Sequence, residues 1–305
     1  MTKKLYVLII ILMPVLTFAQ DSLKYTNTEI IYGRKDGMAL TMLKLSPTGK
    51  SNGKAIISVL SGNWISAYRQ VENATKYAIL YIDRGYTVFL VMHGSQPRYT
   101  IPEEVADIKR AVRFVRYHSK DYGIDPDHIG ITGASSGGHL SLMVATTDDV
   151  KDAASKDPVD QVSSRVQAVA IFFPPTDFLH FGQANFTAAN SKAMLATAGV
   201  AAAFDFKTWD MSSKTYIPVS DSVKMDIVKQ MSPIYSVTSD DPPIFIVHGD
   251  ADFVVPIQQS KAIIEKFKAA KVPNEFIILP GRGHGWLDST PERTKFADWF
   301  DKYLK

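Results

Sequence analysis

The stretch Gly133-Ala134-Ser135-Ser136-Gly137 constrains this chain more than any other. Ahead of it, His128-Ile129-Gly130-Ile131-Thr132 is a short strand-like run, and from Ser136 to about Thr146 the pattern becomes helical. A serine flanked by glycines two positions away, between strand and helix, sits on a sharp, strained turn. The glycines let the backbone bend and approach its neighbours, while Ala134 and Ser136 add little bulk. The helix start directs N–H groups and partial positive charge at the serine. Ser136 has mis-spaced glycines, so Ser135 is the candidate nucleophile.

The rest of the chain alternates in the same manner. Glu29–Tyr32 and Met38–Leu45 read as strands joined by the turn Gly33-Arg34-Lys35-Asp36-Gly37. Ala55–Leu60, Tyr86–Met92, Val166–Phe173, Pro243–Val247 and Phe276–Leu279 are short apolar runs of buried-strand type. A helix ends near Asp83. Another puts Val105, Ile108, Val112 and Val115 on one face, and two more span Gln258–Ala270 and Glu292–Leu304. This rhythm predicts an α/β fold, a mostly parallel central sheet with helices on both faces. Residues 178–231 break it, being rich in Ala, Ser, Thr and Asn with Phe204, Phe206, Trp209 and Tyr216 scattered through. A connection this long is either a small cap-like insertion or peripheral packing.

At the N-terminus, Lys3 and Lys4 precede an apolar run to Phe18, then Ala19 and Gln20. That is the pattern of a secretory signal peptide over residues 1–19, too short for a membrane span of about 20 apolar residues. The expected location is therefore secreted or periplasmic, with residues 20–305 as a single domain and no stable membrane insertion. No cysteine occurs, which excludes disulfides, thiol nucleophiles and thiolate metal sites. The formal charge of +3, which falls by two if Lys3 and Lys4 are removed, gives no reason to expect nucleic acid as a partner. No histidine–carboxylate spacing suggests a metal, and no cofactor is implied.

A serine hydroxyl needs a base, a group to orient the base, and donors for the oxyanion. In folds with this turn, the chain order is serine, acid, histidine. His93, His118 and His128 precede Ser135; His139 is tied to the helix after it; His180 opens the irregular region; His248 ends a buried strand. His284, in Gly283-His284-Gly285 after a late strand, has the room to reach Ser135 and is the candidate base. The acid belongs on the loop His248-Gly249-Asp250-Ala251-Asp252, where position alone leaves Asp250 and Asp252 both open. Trp64 and Trp286 fit either stacking on a substrate or core packing. Asp177 reads as a helix N-cap.

The run Asp107-Ile108-Lys109 through Gly123, then Asp125–Gly130 and Gly133–Leu140, resembles the bacterial acetyl and feruloyl esterase branch of the α/β hydrolases, near the hormone-sensitive-lipase-like esterases. Ser232-Pro233, Asp241-Pro242-Pro243, His248–Pro256, Gln259-Ser260 and Gly283-His284-Gly285 resemble the same branch. The resemblance implies the α/β-hydrolase fold, puts the acid on Asp252 and the histidine on His284, and implies a carboxylic ester as substrate, small-molecule or polysaccharide-linked. The chain departs from the family at the oxyanion loop, where His-Gly-Gly-Gly/Ala-Trp is replaced by Leu60-Ser61-Gly62-Asn63-Trp64. Gly62, Asn63 and Ser136 are the expected main-chain donors. A peptidase of the prolyl-oligopeptidase type and a non-catalytic binding protein are the competing expectations.

Overall fold

The computed structural model describes residues 24–305, so the expected leader over 1–19 lies outside the described residues. In chain order the regular elements are β1 Tyr25–Lys35, β2 Met38–Pro47, β3 Ala55–Val59, α1 Val71–Ile82, β4 Thr87–Val91, α2 Ile101–Tyr117, β5 Ile129–Ala134, α3 Ser136–Thr146 and β6 Ala168–Phe172. There follow α4 Lys192–Thr197, β7 Lys207–Asp210, β8 Thr215–Pro218, α5 Asp221–Gln230, β9 Ile244–Gly249, α6 Gln258–Ala269, β10 Asn274–Leu279 and α7 Thr290–Tyr303.

Eight strands form one sheet in the order β1-β2-β4-β3-β5-β6-β9-β10, parallel from β4 to β10. The β1–β2 hairpin lies along one edge and runs antiparallel to its neighbours. Its turn is tighter than the sequence suggests. β1 continues through a bulge between Ile31 and Gly33, and Asp36-Gly37 alone reverses the chain with both residues at positive φ.

Strand alternation distributes the core over both faces of the sheet. Ile57 and Val59, Phe89 and Val91, and Ile244 and Ile246 join the cluster under α2, α3 and α6. Ile56, Val88, Leu90, Phe245 and Val247 join the cluster under α1 and α7. The expected α2 face of Val105, Ile108, Val112 and Val115 is buried, and every residue of α3 is buried as well. A helix buried on all sides is held on a rigid bed, and this one carries Ser135 at its N-cap. Among the described residues no helix is long and apolar enough to cross a membrane.

Beneath the loop after β4, His93 and Glu104 lie 3.5 Å apart with both side chains fully buried. Burial, and then the Asp107 charge, push the Glu104 carboxyl up to about 10, so it is protonated at neutral pH. Burial pushes His93 down to about 4, which keeps it neutral. Because the Glu104 pKa is raised on folding, its contribution to stability is complete below about pH 4.5 and is lost as pH climbs towards 10. Replacing Glu104 with Gln is therefore expected to raise Tm more at pH 9 than at pH 6. Calorimetry showing equal shifts at both values would exclude a protonated Glu104.

Candidate active site

Ser135, Asp252 and His284 lie at the carboxyl ends of three parallel strands, β5, β9 and β10, of which only the last two are adjacent. β5 runs into Ser135, β9 ends just before Asp252, and β10 ends just before the loop of His284. Open parallel sheets place ligand sites at this edge. Ser135 has φ 54° and ψ −122°, a region that L-residues rarely adopt. Two glycines allow the bend. A Cβ on Gly133 would stand 2.4 Å from the Gly137 carbonyl oxygen, and one on Gly137 would stand 2.8 Å from that of Val59.

His284 Nε2 lies 2.9 Å from Ser135 Oγ, and its Nδ1 lies 2.7 Å from Asp252 Oδ2. The imidazole also packs on the Phe173 ring, with centroids 4.5 Å apart. The Ala251 N–H donates to the Arg282 carbonyl, which ties the acid loop to the histidine loop. Asp252 is buried, and its Oδ1 accepts the N–H groups of Val254 and Val255 at 2.9 Å each. Burial alone would raise this carboxyl. Bonds from His248, His284 and the Val255 amide, with the charge on His284, outweigh burial and hold it well below the usual carboxylate range. Asp250, the alternative, is exposed and accepts the Gly281 N–H at 2.6 Å, so it shapes the histidine loop from outside.

The other histidines have structural partners. His139 accepts from Trp64 Nε1 and faces the Met231 carbonyl at 2.8 Å, and burial pushes it down to about 4. His248 bridges Ser260 Oγ and the Val255 carbonyl. Trp64 packs against His139, Phe178 and Phe204, and Trp286 against Phe172 and Phe173. Asp177 accepts the Leu179 and His180 N–H groups and caps a turn; no helix begins there, because the chain bends on into the irregular region.

The oxyanion loop requires a correction. The Gly62 N–H donates to the Ile65 carbonyl at 3.0 Å in a local bridge, so it is already engaged and is not free to hold an oxyanion. Asn63 and Trp64 follow at φ 53° and 56°. Among the described residues no acceptor takes the Asn63 N–H. Ser136, at the first position of α3, has no intrahelical acceptor for its own N–H. Ser61 Oγ lies 3.0 Å from Ser136 Oγ, a contact between residues 75 positions apart that no local pattern signals.

A cavity of about 80 Å³ opens beside Ser135 and Ser136. One wall is Leu195, Ala198, Val200 and Phe204, all from the irregular region, which therefore forms part of the site. A larger hollow, about 840 Å³, lies between the Arg98–Glu103 turn and the β7–β8 hairpin and holds none of the three side chains.

The sheet order and the serine turn define an α/β hydrolase. The chain belongs to the BD-FAE family, whose model matches residues 43–267. A solved truncated form of a carbohydrate esterase from gut microbiota is 29% identical, with a TM-score of 0.73 over 92% of this chain and 97% of that one. Esterase LipQ of Mycobacterium tuberculosis is 29% identical over 73% of this chain and 48% of its own length. An acetylxylan esterase of Xylanibacter ruminicola is 31% identical over 48% of this chain and 29% of its own length. The chain spans about half the length of the mycobacterial relatives it matches.

Proposed function

We propose that the protein hydrolyses carboxylic esters of short acyl groups, carried on a carbohydrate alcohol, through an acyl-enzyme on Ser135. The observation that carries this reading is the unbroken line from Asp252 through His284 to Ser135, at 2.7 and 2.9 Å. In this reading His284 Nε2 takes the Ser135 proton as Oγ attacks the ester carbonyl, and Asp252 holds the imidazole in the tautomer that can accept it. The N–H groups of Asn63 and Ser136 meet the oxyanion. His284 then protonates the departing alcohol, and water repeats the sequence to release the acid.

Size supports a short acyl group. The cavity of about 80 Å³ is small and walled by apolar side chains, Leu195, Val200 and Phe204 among them, which favours a compact acyl group. The carbohydrate alcohol is supported by the names of the gut carbohydrate esterase and the acetylxylan esterase. Export, supported by the basic and then apolar residues 1–19, would place the enzyme with extracellular polymers.

The test is release of acetate from acetylated xylan alongside a p-nitrophenyl ester series. Acetate release and a fall in kcat/KM of at least about tenfold from acetyl to decanoyl are expected, since an overfilled site forfeits binding. Aminoacyl amides cleaved in preference to acetyl esters would sink the reading.

A further inference from the structure

Replacing glycines by Ser61 and Asn63 leaves a question about this loop. Asn63 and Trp64 both stand in the left-handed region without being glycine, at φ 53° and 56°. Such conformations persist only where the surroundings over-determine them. The surroundings here are supplied from a distant part of the chain. Gln96, on the loop after β4, is buried at 8% exposure. Its side-chain Nε2 donates to the Asn63 carbonyl at 2.6 Å and to the Gly199 carbonyl at 2.9 Å, and its own N–H donates to the Trp64 carbonyl at 3.3 Å. The Asn63 side chain completes the link by donating to the Ala198 carbonyl at 3.1 Å.

We propose that Gln96 is a positioning residue for the oxyanion donor. It clamps the Asn63 carbonyl, in the peptide unit next to the one that carries the donor N–H, and so holds the Asn63 backbone in register with the Ala198–Gly199 segment of the cavity wall. This inference rests on the esterase reading of the site. The chemistry requires a primary amide. Each of its two N–H groups meets one carbonyl, one on the oxyanion loop and one on the cavity wall. A thioether of the same length would leave both carbonyls without their donor. A carboxylate would set oxygen against oxygen. Because the donor matters most when negative charge develops on the carbonyl oxygen, its displacement is felt in the transition state more than in substrate binding.

The experiment compares wild type, Gln96→Met and Gln96→Glu on p-nitrophenyl acetate, with inactivation by a small phosphonate as a second readout. For Gln96→Met, kcat is expected to fall about ten- to a hundredfold and KM to stay within about threefold. Phosphonate inactivation should slow in step with kcat, and Gln96→Glu should be slower still. A folded Gln96→Met with wild-type kcat, or a loss confined to KM, would overturn the proposal. Should Gln96→Met fail to fold, Gln96→Asn keeps a primary amide but, one methylene shorter, withdraws it from the Asn63 and Gly199 carbonyls. A fall in its kcat of about threefold or more supports the clamp, and an unchanged kcat overturns it. A wild type that neither hydrolyses the ester nor reacts with the phosphonate overturns the esterase reading and this inference together. Hydrolysis that is equal in wild type and variants overturns this inference alone.

Discussion

Substitution of Ser135 by either alanine or glycine is expected to abolish ester hydrolysis, with kcat falling roughly 10⁴- to 10⁶-fold. The two variants should nevertheless differ in stability, in the order opposite to the usual one. Glycine ordinarily destabilises relative to alanine because the unfolded chain gains freedom, by about 0.5–1 kcal/mol. At φ 54° and ψ −122°, an alanine retains the backbone strain of about 1–3 kcal/mol that glycine releases. Both lose the Oγ contact with His284, so that loss cancels between them. Ser135→Gly is expected to be more stable than Ser135→Ala by about 1 kcal/mol, or a little under about 2 °C in Tm for a domain of this length. Denaturant titration of the pair measures this directly. A glycine variant less stable than the alanine variant would mean that the turn carries no strain.

The second large effect is at Asp252. In Asp252→Asn, the amide oxygen can keep the Val254 and Val255 N–H groups, which the Oδ1 atom now accepts. The amide nitrogen then falls where Oδ2 was, facing His284 Nδ1 and the nearby His248 Nε2. An N–H donor there makes Nδ1 an acceptor and leaves the ring proton on Nε2, which can no longer receive one from Ser135. On this basis kcat should fall about 10⁴-fold with little change in KM. The corresponding change at Asp250, which touches Gly281 but neither histidine, should cost far less. If Asp250→Asn proved the more damaging of the two, the roles assigned to these carboxylates would be reversed. The depressed Asp252 carboxyl also fixes the sign of its pH effect. The stability it confers is present above the usual carboxylate range and is lost only as the medium becomes strongly acidic.

Legibility in the sequence follows the range over which each feature is determined. Ser135 and His284 stood out because the local glycines that shape their turns are written beside them. The β3, β4 and β9 strands were readable as continuous apolar runs because both of their faces are buried. β1 is longer than its apolar pattern, since Thr26, Asn27 and Thr28 face solvent along an edge strand and leave no hydrophobic signal. Asp250 and Asp252 share one loop and one chemistry, so residues alone could not separate them; family resemblance favoured Asp252, and its contact with His284 agrees. Gly62 was misread because its N–H is engaged by Ile65, a closure that composition does not encode. Gln96 had no signal at all. A lone glutamine after a strand gains meaning only when the fold brings Asn63 and Gly199 to its two hydrogens.

In the proposed reading, the reacting groups and the wall that meets the acyl group come from different parts of the chain. Ser135, Asp252 and His284 stand on strand ends of the sheet, whereas Leu195, Ala198, Val200 and Phe204 belong to the excursion between β6 and β9. On this reading, what fits the site and how it is cleaved are set by separate segments of the chain. The two segments are joined on several sides: the Ala198 and Gly199 carbonyls accept from Asn63 and Gln96, Phe178 and Phe204 pack on Trp64, and the Met231 carbonyl meets His139. On that reading, a change that shifts the Ala198 and Gly199 carbonyls reaches a reaction whose own residues it never touches.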